Sequence, residues 1–298
     1  MTHSHSMLRL HRFTDARKFL DLTSTFLAAR EAENSLILGL AATLQRNPTA
    51  YSSEKPYFGA VSIGNDVIAA ALMTPPNMAV LSWSENEEAV RMLAGDVWTF
   101  RLDTPGVHGP RPTSAWFAEA WDTLTSLEPV LSVAERAFRL EHVNAVTGVV
   151  GSARDARDDE LPLIAGWAVA FQAEALPQSG APMLTADDFL DRWRSAPPTT
   201  PAIGGTMVWD VDGKPVSFAQ YKGPTPNGMR IGPVYTPPEH RRHGYASALV
   251  AAISQRILSF GKRYAFLYTD LANPTSNHIY QAIGFEPVCD VDEYRFGE

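Results

Sequence analysis

The residues whose types and spacing could do chemistry are concentrated in Gly232-Pro-Val-Tyr-Thr-Pro-Pro-Glu-His-Arg-Arg-His-Gly-Tyr245 and in the Ala246-Ser247-Ala248-Leu249 that follows. Pro237 and Pro238 cannot continue a strand ladder. Beyond Gly244 the apolar Leu249, Ile253 and Ile257 recur every four positions, as on the buried face of a helix. The pattern predicts a strand, a turn, and a helix that starts between Arg241 and Tyr245. A helix start carries unpaired backbone N–H groups and a partial positive charge, and a glycine there lets an anion come close to the backbone. Arg241 and Arg242 add mobile charge beside it. The chemistry implied is a cradle for a phosphate or pyrophosphate. It is not a P-loop, because no Gly-Lys-Ser/Thr triplet follows.

Farther along, a short apolar strand, Tyr264-Ala-Phe-Leu-Tyr-Thr-Asp270, leads to Asn273-Pro-Thr-Ser-Asn-His-Ile-Tyr-Gln-Ala-Ile-Gly-Phe285. Arg241-x-x-Gly244-x-Ala246, after a strand and ahead of an amphipathic helix, resembles the acyl-coenzyme A pyrophosphate loop of the GNAT N-acetyltransferase superfamily, with alanine in place of the commoner last glycine. The later segment resembles that family's Asn-x-x-(small)-x-x-x-Tyr helix closed by Gly-Phe, with Asn273, Ser276, Tyr280, Gly284 and Phe285 on the matching positions. The resemblance is good from Gly148 to Glu298. It implies acetyl-coenzyme A as cosubstrate and no metal. It also implies that Arg241, Arg242, His243, Gly244, Tyr245, Ala246 and Ser247 hold the pyrophosphate, and that Asn273 and Ser276 bond the coenzyme. In this fold the strand Gly232 to Tyr235 splays from its neighbour and leaves an edge for the pantetheine and the thioester oxygen. Pro233 has no N–H to donate, so Val234 is the candidate donor, with Tyr235 and Thr236 beside it. Tyr280 would protonate the leaving sulfur.

The reaction asked of such a site is attack of a neutral amine on a thioester held in line with it. Plainer readings stand beside these roles. Tyr280 also falls on the Ile279, Ile283 face of its helix and suits a core position. Glu239, His240 and His243 read as solvent-facing turn residues, and Asp210 and Asp270 end strands. No general base is assigned, since an amine can lose its proton through a chain of waters. Glu174 reads as an exposed surface residue, with contact to an amine as the alternative.

Composition sets wider bounds. A chain of 298 residues with 45% hydrophobic residues has room for two packed domains. The single cysteine, Cys289, excludes an internal disulfide and a cysteine-based metal cluster, and reads as a small core residue. No apolar run reaches the length of a membrane span, and Met1 to Met7 lacks the blocks of a signal peptide, so a cytoplasmic location is expected. His3 and His5 read as solvated tail residues. The net charge of −8 argues against nucleic acid and mildly favours a cationic amine.

The elements that must position these residues follow from pattern. Leu8 to Leu10 predicts a strand, Thr14 to Thr25 and Glu31 to Leu44 helices, and Tyr57 to Ile63 with Val67 to Met73 a hairpin around Gly64-Asn65-Asp66. Met78 to Trp83 is a strand, Glu85 to Leu93 and Ser114 to Leu124 helices, and Val130 to Leu140 a closing strand. Thr104 to Arg111 reads as a glycine and proline turn, and its His108 as a polar loop residue. In the second half Val146 to Val150 is the expected first strand. Asp155, Asp158 and Asp159 then lead a helix bearing Ile164, Trp167 and Phe171, and Leu176 to Pro182 reads as a mobile lid before a helix over Ala186 to Arg194. Thr206 to Val211 and Pro215 to Tyr221 flank Asp212-Gly-Lys214, followed by a strand over Met229 to Thr236 and a helix over Ala246 to Phe260.

The two halves thus read as a weak internal repeat. Where the second half has its cradle, the first has Trp83-Ser-Glu-Asn-Glu-Glu88, whose carboxylates would repel a phosphate and which lacks glycine. The expected fold is α+β: two tandem acetyltransferase-like domains, each a mixed, mostly antiparallel twisted sheet flanked by helices. Residues 1–143 would be a degenerate copy, and residues 144–298 the acetyl-coenzyme A-binding N-acetyltransferase domain. The expected partners are a small-molecule or peptide amine, with no nucleic acid and no membrane, and the resemblance leaves room for a homodimer. A non-catalytic module that senses acyl-coenzyme A or binds another protein is the alternative.

Overall fold

The computed structural model describes residues 7–175, 183–195 and 203–297. The lid expected over Leu176 to Pro182, and the tail with His3 and His5, lie outside the described residues. The chain divides into two compact units, one built on Met1–Ala134 with Cys289–Glu298, the other on Glu135–Pro177 with Met183–Val288. The division falls inside two strands, so neither unit is a single run of sequence.

The first unit runs β1 (Leu8–Phe13), α1 (Ala16–Ala29), α2 (Ser35–Arg46), β2 (Tyr57–Ile63), β3 (Asp66–Met73), β4 (Ala79–Leu81), α3 (Glu87–Phe100), β5 (Gly106–Pro110), α4 (Arg111–Thr125) and the start of β6 (Pro129–Leu140). Strand alternation sorts its two cores. Ala69, Ala71, Met73 and Leu81 face α3 and α4, where Val90, Leu93 and Trp121 are fully buried. Ala70, Leu72 and Val80 point to the opposite face, covered by Phe19 and Leu27 of α1 and Ile37 and Leu38 of α2.

Two sequence expectations fail in this unit. Gly106–Pro110 is a strand and not a turn, and His108 sits in its ladder, opposite Glu293. The glycines read as turn residues serve close packing instead: a Cβ on Gly109 would stand 2.9 Å from the Cβ of Leu81. The partner of β5 is the final strand, β12 (Glu286–Phe296), which no sequence pattern had marked. Arg111 ties it down, its guanidinium donating to Asp292 at 2.9 and 3.1 Å and to Asp290 at 3.0 Å.

The second unit repeats the order of elements: β7 (Ser152–Asp155), α5 (Leu161–Ala175), α6 (Ala186–Ser195), β8 (Gly205–Val211), β9 (Lys214–Lys222), β10 (Gly228–Tyr235), α7 (Tyr245–Ser259), β11 (Tyr264–Asp270), α8 (Pro274–Ile283) and the start of β12. Its strands lie in the order β6, β11, β10, β9, β8, β7, all antiparallel except β10 with β11. Met207, Trp209, Ala219 and Tyr221 face α7, whose Leu249, Ile253 and Ile257 are buried as their spacing predicts. Val208 and Phe218 point the other way, against Ile164 and Ala168 of α5. The first strand falls at Ser152–Asp155 and not at Val146 to Val150, because its polar residues have partners that apolar patterning does not reveal.

Those partners set the start of α5. Arg154 donates to Glu160 at 2.6 and 2.8 Å and to Asp210 of β8 at 2.6 and 2.8 Å, while Glu160 also accepts the backbone N–H of Arg157 at 2.8 Å. The buried Glu160 therefore organises this end of the helix, more than the aspartates expected to cap it. Asp155 is paired with Arg256 of α7. Asp210 belongs to this structural cluster and is no candidate base.

Arg154→Met should destabilise the protein by about 1–3 kcal/mol, the cost of leaving a buried acceptor without its donor. The Glu160 carboxyl is held below its ordinary value of 4.5, chiefly by the Arg154 hydrogen bond. A depressed carboxylate stabilises the fold above its unfolded pKa, and that contribution is lost as the pH falls through the lower folded value. The melting-temperature deficit of the variant should be full at neutral pH and shrink below about pH 4. An equal deficit across that range would refute the assignment.

Candidate functional site

The site in the second unit begins where two strands part. β10 pairs in parallel with β11 only from Gly228 opposite Tyr264 to Arg230 opposite Phe266. Past that point β11 continues to Asp270 on its other neighbour, β6, and β10 continues to Tyr235 on β9. The β9 register shifts between Ile231 and Val234, a bulge that contains Pro233, which has no N–H to give a ladder. The splayed edge expected from Gly232 to Tyr235 is therefore present. A cavity of about 630 Å³ fills the gap.

All the residues named from the sequence as cofactor-binding or catalytic line this cavity except His243. His243 is exposed and stacks on Tyr245, ring centroids 5.2 Å apart. At one end lies the start of α7, whose N-cap is Gly244 with φ +80° and no side-chain cap. Glycine takes that left-handed conformation without the penalty other residues meet, and a Cβ there would stand 3.0 Å from Cγ2 of Val149. The first N–H groups of α7 are thus left to an outside acceptor, which fits a pyrophosphate. In the first unit, α3 starts differently: Asn86 caps it, its Oδ1 accepting Ala89 N–H at 2.8 Å, with Glu87 and Glu88 in the first turn.

The two arginines have separated roles. Arg242, also at positive φ (+66°), is exposed and has no side-chain partner among the described residues. Arg241 is not the mobile charge expected. Its Nε donates to the Thr236 carbonyl at 2.8 Å, its Nη2 to Glu174 at 2.6 Å, and its guanidinium lies 5.6 Å from the centre of the Tyr235 ring. Glu174, read from the sequence as a surface residue, is a member of this cluster and lines the cavity, with its other oxygen accepting the Tyr235 hydroxyl at 2.8 Å. Those hydrogen bonds, Arg241's first, hold its carboxyl below the ordinary range, while burial and the neighbouring carboxylate push the Tyr235 phenol up. The Arg241–Glu174 pair is nearly half exposed on both sides, so it adds only about 0–1 kcal/mol to stability.

The far end of the cavity is formed by α8. Tyr280 both packs against the core, edge-on to Phe285 at 6.0 Å, and faces the cavity, so the two readings of it from sequence coexist. Loss of solvent pushes its phenol up to about 12. Asn273 caps α8, its Oδ1 accepting Ser276 N–H at 3.0 Å, which leaves its amide nitrogen free to donate to a ligand. Glu135 and Asp270, cross-strand partners on β6 and β11, add carboxylates to the wall. Sequence reasoning missed Glu135 as a site residue; no local motif marks it, because a distant element brings it in. Among the described residues no group of three or more His, Cys, Asp or Glu is placed to hold a metal ion, and no helix is long and apolar enough to cross a membrane.

Comparison with known proteins agrees with this geometry. The sequence profile of the Acetyltransferase (GNAT) family matches residues 163–285. Among solved structures, the fold is similar to a GCN5-related N-acetyltransferase from Sphaerobacter thermophilus, at 15% identity over 97% of this chain and 95% of that one, with a TM-score of 0.60. It is similar to a GNAT-family acetyltransferase from Colwellia psychrerythraea, at 10% identity over 97% and 99%, TM-score 0.57. It is also similar to a tandem GNAT protein from the clavulanic acid biosynthesis pathway, at 14% identity over 97% and 98%, TM-score 0.58. At such identities the likeness is one of fold. No curated protein matched the sequence.

If the start of α7 is the acetyl-coenzyme A cradle that the sequence implies, Gly244→Glu should weaken that binding by about a hundredfold or more, since it sets bulk and negative charge against two or more charge-assisted hydrogen bonds. The strained φ should cost about 1–2 kcal/mol of stability, leaving the fold intact. Calorimetric titration of the folded variant checks this; an unchanged affinity would exclude the α7 start as the cradle.

Proposed function

We propose, the chain being a member of the GNAT acetyltransferase family over residues 163–285, that it transfers an acetyl group from acetyl-coenzyme A to a primary amine of a small molecule or peptide, by direct attack in a ternary complex. The observation that carries this reading is one cavity that runs from the uncapped start of α7 to the Tyr280 phenol. In this reading the N–H groups of Gly244 to Ser247 and the side chain of Arg242 hold the pyrophosphate, with Arg241 and His243 at its margin. Asn273 and Ser276 contact the coenzyme. The backbone of Val234, Tyr235 and Thr236 receives the pantetheine, with Val234 N–H toward the thioester oxygen. The bond formed is from the amine nitrogen to the acetyl carbon, the bond broken is carbon to sulfur, and the proton lost by nitrogen balances the one gained by sulfur. Residues 1–143 serve as a degenerate copy that binds no nucleotide, and the protein works in the cytoplasm.

Tyr280 is the proposed donor to sulfur. A phenol pushed up to about 12 is fully protonated wherever an amine acetyltransferase would work, but it is a weaker acid than ordinary tyrosine at about 10. Its help to a thiolate whose own acid has a pKa of about 8.5 is correspondingly modest. Tyr280→Phe should lower turnover at the low end of the general-acid range, about tenfold to a hundredfold, with acetyl-coenzyme A affinity and melting temperature little altered. A wild-type rate would return Tyr280 to a purely structural role.

The same raised pKa fixes a pH dependence. The proton donor persists until the pH approaches the raised value, so the turnover of wild type should rise as the acceptor amine deprotonates and should show no fall by about pH 10. A tyrosine with the ordinary pKa would be half ionised there. Steady-state rates across that range, with coenzyme A release as the readout and a panel of amines as acceptors, test both the donor and the reaction. Acetyl-coenzyme A binding without coenzyme A release for any amine would favour a sensing module instead.

A further inference from the structure

The roles above leave Glu174 unused. It stands in the last turn of α5, and Phe171, three residues earlier on the same helix, lines the cavity with it. One carboxylate oxygen accepts from Tyr235 and the other from Arg241, at 2.8 and 2.6 Å. Tyr235 directly follows Val234 on the parted edge of β10, so the carboxylate is fixed relative to the proposed thioester position. A carboxylate offers about four lone-pair positions, and these two bonds leave room for another donor. At 46% side-chain exposure, the group is open to a ligand. Its proton affinity, lowered first by Arg241 and then by Tyr235, makes it unable to deprotonate an ammonium ion of pKa about 10. Such a group holds a cation without taking its proton.

From this geometry we infer that Glu174 selects the acceptor, binding a cationic group of the substrate other than the nitrogen that attacks. The two groups must be distinct, because the attacking nitrogen is neutral and the one on Glu174 stays charged. The acceptor class is a diamine, or a peptide amine with a second basic group near it. Glu135 and Asp270 on the same cavity wall add to the negative potential. Tyr235 and Arg241 are positioning residues in this role, acting through the carboxylate they hold. The inference rests on the proposed transferase function and deepens it.

The test reads binding as well as turnover. Full-length protein saturated with coenzyme A is titrated calorimetrically with 1,4-diaminobutane and with n-butylamine, which differ by one terminal amino group. Wild type should bind the diamine about tenfold or more tightly than the monoamine, the worth of one charge-assisted hydrogen bond. Glu174→Gln should bring that ratio close to one, and Tyr235→Phe should reduce it severalfold; the second variant, which loses only a hydroxyl, carries the test if the first does not fold. A wild-type ratio near one, a ratio retained in both variants, or a ratio abolished by Asp270→Asn but not by Glu174→Gln would overturn the inference. A Glu174-dependent ratio in a protein that releases no coenzyme A with any amine would support the cation site and sink the transferase reading alone. Amine acetylation indifferent to Glu174 would do the reverse.

Discussion

Neighbouring strands share hydrogen bonds only while they stay about 4.8 Å apart, and β10 and β11 do so for three residue pairs. Everything at the candidate site depends on what happens next. Each strand keeps its outer partner, β9 or β6, so the sheet holds together while its middle opens. Backbone groups on the opened edges have no strand to pair with, and buried backbone without partners is costly. A gap of this kind persists because the flanking ladders and the α7 core enforce it. It is satisfied best when an extended ligand supplies the missing donors and acceptors.

Electrostatics divides the gap. The start of α7 and Arg242 form a positive end, where left-handed residues at 242 and 244 expose backbone N–H groups. Glu135, Asp270 and Glu174 supply the negative lining elsewhere. Arg241 lies between, its guanidinium turned toward Glu174 and Tyr235. In the proposed reading, one cavity then offers an anion site and a cation site, as a reaction that joins a phosphorylated carrier to an amine would need.

Much of this was legible in the sequence where the signal was local. Tyr57–Ile63 and Tyr264–Asp270 form strands over the residues their apolar runs mark, and α7 buries the face its four-residue spacing predicts. Gly244 was readable because a glycine at a helix start lets an anion come close to the backbone, and it does stand at that start, with φ +80°. What escaped was set by distant partners. Gly106–Pro110 looks like a turn because its glycines make room for Leu81 and Tyr294, contacts that no window of sequence contains. β7 hides behind Arg154, whose polarity is answered by Glu160 and Asp210. Glu174 resembled any surface glutamate until Tyr235 and Arg241, some sixty residues later, were seen to hold it.

The placement of β12 bears on how the protein is made. Arg111 reaches Asp292 across 181 residues of chain, and β5 pairs with Val291 to Arg295. During synthesis the first unit therefore leaves the ribosome with β5 lacking its neighbour, an open strand edge of the kind that invites mispairing. It can complete its sheet only after the entire cavity-bearing sequence has been translated. In the second unit β6 waits in the same way, since its ladder partner, β11, comes far later in the chain. Both sheets therefore close late, and β12, the strand that completes the first, is the last of the described strands to be made.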